Sequence, residues 1–168
     1  AWTWSPMAGV GFRYLSNGTT GIPGFRTDKY LYLPVGFTAR TKLPADRALS
    51  VTLEYDRLMH GWQFTQDSAL GSGLIPATPT APAFTIDSFT DLSFDQPSGW
   101  AVRGNATLEV AKRWLVTPYF VRWSVGASPV SGSTIAFTVN KVQALAQFNA
   151  YEPFNTTNEF GVKLGVRF

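Results

Sequence analysis

The last ten residues of the chain alternate without a break between apolar side chains and charged or very small ones. The apolar positions are Phe160, Val162, Leu164, Val166 and Phe168. The other positions are Glu159, Gly161, Lys163, Gly165 and Arg167. Successive side chains of a β-strand point to opposite faces, so this period of two predicts a strand with one apolar face and one polar face.

The same pattern recurs along the chain and predicts strands over 4–15, 30–41, 48–59, 98–111, 114–126 and 157–168. Within 114–126 we place Trp123 on the apolar face and Arg122 on the polar face. Segment 131–152, with Asn140-Lys141 as a tight turn, is predicted to add two strands and bring the number to eight. The alternative is that 131–152 forms part of an external hairpin.

The predicted polar faces carry cations and anions in nearly balanced numbers. They are Arg13, Arg40, Arg103, Arg122, Lys163 and Arg167 with Glu54, Asp56, Glu109 and Glu159. Arginine dominates the cations, as expected where planar guanidinium groups must form ion pairs in a confined space. Only 15% of the chain is charged, against about 25% in an ordinary soluble domain. We therefore predict one domain over 1–168, an all-β, transmembrane, antiparallel up-and-down β-barrel with a polar lumen and a lipid-facing apolar wall. A soluble barrel or sandwich is the alternative.

Aromatic side chains cluster near the predicted strand ends, about 9 to 11 residues apart, the length with which a tilted strand crosses the hydrocarbon layer. Amphipathic rings prefer the two boundaries of that layer. One rim is predicted to carry Trp4, Trp114 and Phe168. The other is predicted to carry Tyr14, Tyr30, Trp62, Trp100, Trp123 and Phe160.

The predicted connections differ between the two rims. Short basic links, 42–47 and 112–113, lie at the rim of Trp114, together with both chain ends. The long external loop 60–97 lies at the other rim, and no Lys or Arg stands between Arg57 and Arg103. Short turns on one side and long loops on the other are typical of transmembrane barrels.

Composition excludes several kinds of site. The chain has no cysteine and 1 histidine, so disulfides, thiolate nucleophiles and multi-histidine metal sites are excluded. No apolar run reaches the roughly 18 to 20 residues of a membrane-spanning helix. The net charge of +3 is not gathered into a basic stripe, so nucleic acid is not expected as a partner. We expect no metal and no cofactor.

The weak candidate for catalysis is His60, at the outer end of the third predicted strand. It lies near Asp56 and Asp67 in the sequence, an arrangement that would suit the general base of a hydrolase. No serine–histidine–acid pattern surrounds it, which favours a histidine at the membrane interface. Three loop aspartates lack the compact spacing of a calcium loop and are interpreted as solvated charges: Asp87, Asp91 and Asp95.

The terminal run FGVKLGVRF (160–168) resembles the C-terminal signature of bacterial outer-membrane β-barrels, which ends in an aromatic residue and is read by the barrel-assembly machinery. Further stretches resemble a group of poorly characterised proteobacterial outer-membrane barrels: GVGFRYL (9–15), YLYLPVG (30–36), LEYD (53–56), TPYFVRW (117–123) and EPFNTT (152–157). The resemblance implies a bacterial outer-membrane location, with periplasmic termini and extracellular long loops. Members of that group carry further strands before the first of these stretches, which leaves open whether another chain completes or flanks the barrel.

Two classes of function follow. The first is an integral outer-membrane barrel with a structural, adhesive or complex-anchoring role, its lumen either plugged by ion pairs or passing small solutes. Its expected partners are membrane lipid, lipopolysaccharide and the barrel-assembly machinery. The second is an outer-membrane enzyme that hydrolyses lipid or peptide with His60 at the external rim. A soluble ligand-binding β-barrel is the alternative at the level of the fold.

Overall fold

The structure is a computed structural model and describes residues 1–16, 25–70 and 72–167. Its strands are β1 (Trp2–Ala8), β2 (Gly11–Ser16), β3 (Phe25–Leu43), β4 (Arg47–Gln66), β5 (Gly73–Ile75), β6 (Phe84–Phe89), β7 (Leu92–Gln96), β8 (Gly99–Val110), β9 (Trp114–Val125), β10 (Ser131–Val139), β11 (Val142–Ala150) and β12 (Asn155–Val166). A short 3₁₀ helix covers Asp67–Leu70. The fold is all-β with antiparallel pairing, as predicted. In the described ranges, no helix is long and apolar enough to cross a membrane.

The main sheet has the order β1–β3–β4–β8–β9–β12, with β2 also paired to β3 and β7 to β4. The six strands that the alternation predicts between 4–15 and 157–168 are therefore confirmed as members of this sheet. β1 and β2 share one register along β3 and are interrupted at 9–10, opposite Pro34. Proline has no backbone N–H, so the ladder loses a donor there, although the Gly9 N–H still donates to the Pro34 carbonyl at 3.1 Å.

The main sheet curls without closing within the described residues. β1 and β2 form one edge and β12 forms the other, and these edges are not paired with each other. Arg13 of β2 and Glu159 of β12 nevertheless line the same cavity. The antiparallel order leaves the two edge strands running in opposite directions.

Short turns join the strands at one end of the sheet. The links 44–46 and 111–113 each contain two consecutive residues with positive φ, between 51° and 59°. The Lys112 Nζ lies 3.0 Å from an Asp46 carboxylate oxygen and connects the two turns. The Arg167 N–H donates to the Arg113 carbonyl, and Trp2 pairs near the end of β3. The first strand thus begins, and the last described strand ends, at the short-turn end.

At the opposite end of the main sheet, the strands extend further than the sequence predicts. β4 continues to Gln66 and pairs with β7 over Gly61 to Thr65. The first part of the predicted loop 60–97 is therefore strand. The rest contains the 3₁₀ helix, β5, β6 and β7.

A second sheet has the order β11–β10–β6–β5. The prediction that 131–152 adds two strands to the barrel is therefore wrong. β9 pairs with β12 along its whole length, from Val125 opposite Asn155 to Trp114 opposite Val166, so no edge between them is free for insertion. The turn at Asn140-Lys141 is confirmed, and both residues have the positive φ of a type I′ hairpin.

The two faces of the main sheet differ as the alternation predicts. The outer face exposes large apolar side chains, including Phe160 (82%), Leu164 (80%), Val10 (73%) and Val162 (62%). The inner face, which lines the cavity, carries charged and polar groups and a small core: Tyr30, Leu58, Ala101, Trp123 and Val125. Inner-face glycines leave room for neighbouring rings, since a Cβ at Gly11 would lie 2.2 Å from the Tyr32 ring.

In β9 the predicted assignment of faces is wrong. Trp123 is buried on the inner face, whereas Arg122 is exposed on the outer face opposite Val102. The Trp123 ring stacks on Tyr30 with centroids 6.0 Å apart and meets Tyr32 edge-on at 5.3 Å. Burying the largest side chain of the strand between two rings decides the phase, because a flexible arginine can extend from the outer face toward a polar boundary.

Candidate functional site

Arg103 is the centre of a group of inner-face residues that we call the central cluster: Arg103, Glu54 and Asp56. The Arg103 Nε lies 2.6 Å from the Asp56 Oδ2 and 3.3 Å from the Glu54 Oε1, and its Nη2 donates to the Tyr32 hydroxyl at 3.1 Å. Asp56 is 0% exposed. The central cluster forms because β4 and β8 pair Glu54 directly with Arg103 on the inward face. A single guanidinium is thus shared by two carboxyl groups.

Glu109 joins two arginines from distant strands near the short turns. Its Oε2 accepts from the Arg40 Nη2 at 2.8 Å, and its Oε1 accepts from the Arg167 Nη1 at 3.1 Å. Glu109 is buried, while both arginines reach toward solvent. This trio, the turn-end cluster, connects β3, β8 and the end of the chain. With the central cluster it accounts for six of the ten predicted network residues.

Three of the other four network residues line one inner cavity of about 290 Å³: Arg13, Glu159 and Lys163. Within the described ranges, neither Arg13 nor Lys163 has a carboxylate within 4.0 Å. The Arg13 Cζ instead lies 5.0 Å from the Trp123 ring centroid, and the Lys163 Nζ lies 4.7 Å from that of Tyr119. The fourth residue, Arg122, lies on the opposite face and is not part of the interior.

A further cluster at the outer end of the interior was missed by the sequence analysis. Arg26 forms an ion pair with Glu152, and its Nε lies 3.4 Å from Asp28. The Glu152 N–H donates to the Ser128 Oγ at 2.8 Å. The sequence held one indication of this cluster. Asp28 stands two residues before Tyr30, so it lies on the same face of β3 if the strand extends beyond the predicted span. Glu152 gave no such signal, because its loop position has no periodicity.

Asp28, which lies above the predicted span, makes the stability of the fold depend on pH. Burial raises the pKa of the Asp28 carboxyl, although attraction to Arg26 opposes the shift. The folded chain then holds this proton more tightly than the unfolded chain, so the free energy of unfolding falls as pH rises above 3.8. We expect Asp28→Asn to be more stable than the parent at neutral pH. The difference in the free energy of unfolding should grow as pH rises above 3.8 and then level off. Urea unfolding in micelles at several pH values measures the margin. A margin that shrinks with rising pH would contradict the prediction.

His60 lies on the outer face of the sheet. Its Nε2 is 3.2 Å from an Asp95 carboxylate oxygen, and its ring centroid is 4.3 Å from that of Trp62. The predicted proximity to Asp56 is wrong, because a bulge opposite Leu31 reverses the alternation in β4 between the two residues. Asp67 is not an ion-pair partner either. In the described part of the chain, no hydroxyl lies within hydrogen-bond distance of the imidazole.

The three loop aspartates have separate partners. Asp87 accepts from the Thr138 hydroxyl, Asp91 accepts from the Ser68 N–H at 2.8 Å, and Asp95 pairs with His60. The hydrogen bonds from Ser68 lower the pKa of Asp91. No three His, Asp or Glu side chains gather in a metal-binding arrangement within residues 1–16, 25–70 and 72–167.

The predicted aromatic rims are placed as follows. Exposed on the outer face are Trp4 (63%), Trp114 (56%), Tyr14 (54%), Trp62 (42%) and Phe160 (82%). Trp100 is partly exposed on the same face, opposite Arg57. Tyr30 and Trp123 were wrongly assigned to a rim, because they are 6% and 3% exposed and stack on each other in the interior. Phe168 lies outside the described residues.

No protein-family model matches this chain, and no curated protein matches it in sequence.

Proposed function

We propose that the main sheet is part of the wall of a transmembrane β-barrel in the outer membrane of a Gram-negative bacterium. The observation that carries this proposal is the inverted polarity of the sheet. Phe160, Leu164 and Val10 are exposed on the outer face, while Asp56 and Glu109 are buried on the inner face. Soluble proteins rarely expose contiguous apolar patches above a few hundred Å². A lipid-facing wall explains both faces at once.

The two open edges of the sheet fit a barrel that is completed by further pairing. An unpaired backbone group costs several kcal/mol in the hydrocarbon layer, so neither β2 nor β12 remains unpaired there. Because these edges run in opposite directions, the wall closes by direct pairing or with an even number of additional strands. Closure by direct pairing and closure with strands from elsewhere, another chain included, both fit the proposal.

The proposed role is anchoring: the wall holds the second sheet outside the lipid. Membrane lipid and lipopolysaccharide surround the wall. The central and turn-end clusters occupy the interior with paired side chains, which favours a plugged lumen over passage of small solutes. β12 lies at an edge with Phe160, Val162 and Leu164 exposed outward. This placement fits a terminal strand that the barrel-assembly machinery reads during insertion.

Lipid quenching of tryptophan fluorescence tests the proposal. Two variants each keep a single tryptophan, Trp114 on the outer face or Trp123 in the interior, with the other tryptophans changed to phenylalanine. In vesicles of phosphatidylcholine brominated near the ester end of its chains, we expect strong quenching of Trp114 and weak quenching of Trp123. Recovery of the folded parent chain from buffer without detergent, with neither variant quenched by vesicles, would refute the proposal and favour the soluble barrel.

A further inference from the structure

Arg13 is a partly buried cation, and the carboxylates among the described residues all lie beyond ion-pair distance from it. In the described residues no carboxylate lies within 4.0 Å of its guanidinium, whereas Arg103 contacts two. The remaining positions, 17–24, 71 and 168, carry no Asp or Glu side chain. Removing a charge from water is costly unless it is paired, so this arrangement calls for a negative group from elsewhere.

Space for such a group lies on both sides of Arg13. A cavity of about 290 Å³ and a second of about 270 Å³ are both lined by Arg13 and Trp123. The first is also walled by Tyr32, Tyr119 and Val121. The second extends past Tyr30 toward the outer end of the sheet.

The walls around Arg13 favour a flat apolar body over a simple hydrated ion. The Trp123 indole stacks near Tyr30 and meets Tyr32 edge-on, so aromatic surface surrounds the guanidinium. The guanidinium of Arg103 also lies 5.3 Å from the Trp123 centroid, but its hydrogen bonds are taken by the central cluster. Of the two guanidiniums beside Trp123, Arg13 is the one that makes no side-chain hydrogen bond among the described residues. Aromatic surface beside a free guanidinium suits a planar ring that ends in a carboxylate.

The carboxylates that line these cavities do not replace the ligand. Asp28 lies 3.4 Å from the Nε of Arg26. Glu159 shares the first cavity with Arg13 and Lys163 and is beyond ion-pair distance from both. It makes the cavity less attractive to highly charged anions, which favours a ligand with a single negative charge.

We propose that Arg13 binds the carboxylate of a small aromatic monocarboxylic acid, whose ring packs beside Trp123 in the interior of the sheet. A guanidinium donates two parallel hydrogen bonds to a carboxylate, which gives both affinity and orientation. The site goes beyond the anchoring role, and its first cavity lies between β2 and β12, the two edges of the sheet. Binding in the interior is expected whether the outer face contacts lipid, detergent or water.

Titration with benzoate tests the site in micelles, with calorimetry of the full chain and fluorescence of the variant that keeps only Trp123 as readouts. We expect saturable binding of benzoate and weaker binding of acetate, which lacks the ring. Benzylamine has a similar body with the opposite charge and should not bind. Equal binding of benzoate and benzylamine, or no saturable binding of benzoate, would overturn the proposal. Equal binding of acetate and benzoate would overturn the aromatic part.

Matched arginine variants locate the site. Arg13→Gln is expected to weaken benzoate binding about ten- to a hundredfold, the effect of losing charged hydrogen bonds. Arg122→Gln removes an arginine from the outer face and should leave the affinity unchanged. Glu159→Gln removes the neighbouring negative charge and should tighten binding, so a failure of Arg13→Gln to fold leaves the proposal testable. Equal losses in Arg13→Gln and Arg122→Gln, or no tightening in Glu159→Gln, would contradict it.

Discussion

Replacing Arg103 with methionine is expected to lower the free energy of unfolding by about 3–5 kcal/mol, the usual cost of removing one partner from a buried ion pair. Asp56 is 0% exposed, so its carboxyl group would be left buried without its ion-pair partner. Its Oδ1 already has no hydrogen-bond partner among the described residues, so Arg103 is the group that offsets its burial. Urea unfolding of the parent and Arg103→Met in the same micelles measures the loss.

Two further variants show whether the loss comes from the unpaired carboxylate. Arg122→Met makes the same chemical change on the outer face and is expected to cause no destabilisation beyond about 0.5 kcal/mol. Adding Asp56→Asn to Arg103→Met replaces the unpaired carboxyl group by an amide of nearly the same shape. More than half of the lost free energy of unfolding should return. Similar losses in Arg103→Met and Arg122→Met would show that the central cluster contributes little.

Placing arginine at Val162 is expected to destabilise the chain in lipid by about 2–4 kcal/mol, the cost of a cation on the lipid face near the bilayer midplane. Val162 lies near the middle of β12 on the outer face and is 62% exposed. In water, an exposed valine replaced by arginine changes stability by about 0.5 kcal/mol or less. The size of the effect therefore distinguishes a lipid-facing surface from a solvent-facing one.

Val166 provides the matched control for depth. It lies on the same face of β12, four residues nearer to the short turns, where Trp114 is its partner in register. Val166→Arg is expected to cost about 0–1 kcal/mol because the site is close to the boundary of the lipid. Chemical unfolding in phosphatidylcholine vesicles compares the two variants. Equal losses at Val162 and Val166 would count against a membrane-embedded sheet.

The elements that the sequence predicted well are those with an uninterrupted period of two. The alternation of 159–168 correctly predicted which residues of β12 lie on the outer face. The segment around Glu54 correctly predicted which residues of β4 lie on the inner face. The phase of β9 was predicted wrongly because its two faces both contain apolar residues and long side chains. Trp123 lies inside since Tyr30 and Tyr32, more than ninety residues earlier, supply the rings that pack on it.

The candidate site was predictable only in part, because some of its contacts join segments that are distant in the sequence. Glu54 and Arg103 share a face with the other polar positions, so their membership of the interior followed from the alternation. His60 was given the wrong partner because a one-residue bulge in β4 separates its face from that of Asp56. The cluster of Arg26 with Glu152 joins residues 126 positions apart, and no local pattern relates them.

The sequence by itself determined that this protein is built from antiparallel strands with one apolar and one charged face, because the direction of each side chain along a strand is a local property of the backbone. Only the tertiary structure decided that 131–152 joins the second sheet, that Arg122 lies outside, and that Arg13 has no carboxylate at ion-pair distance among the described residues. Each of these depends on which strands become neighbours and in what register. Hydrogen bonds between distant segments set that register, and no single segment contains it.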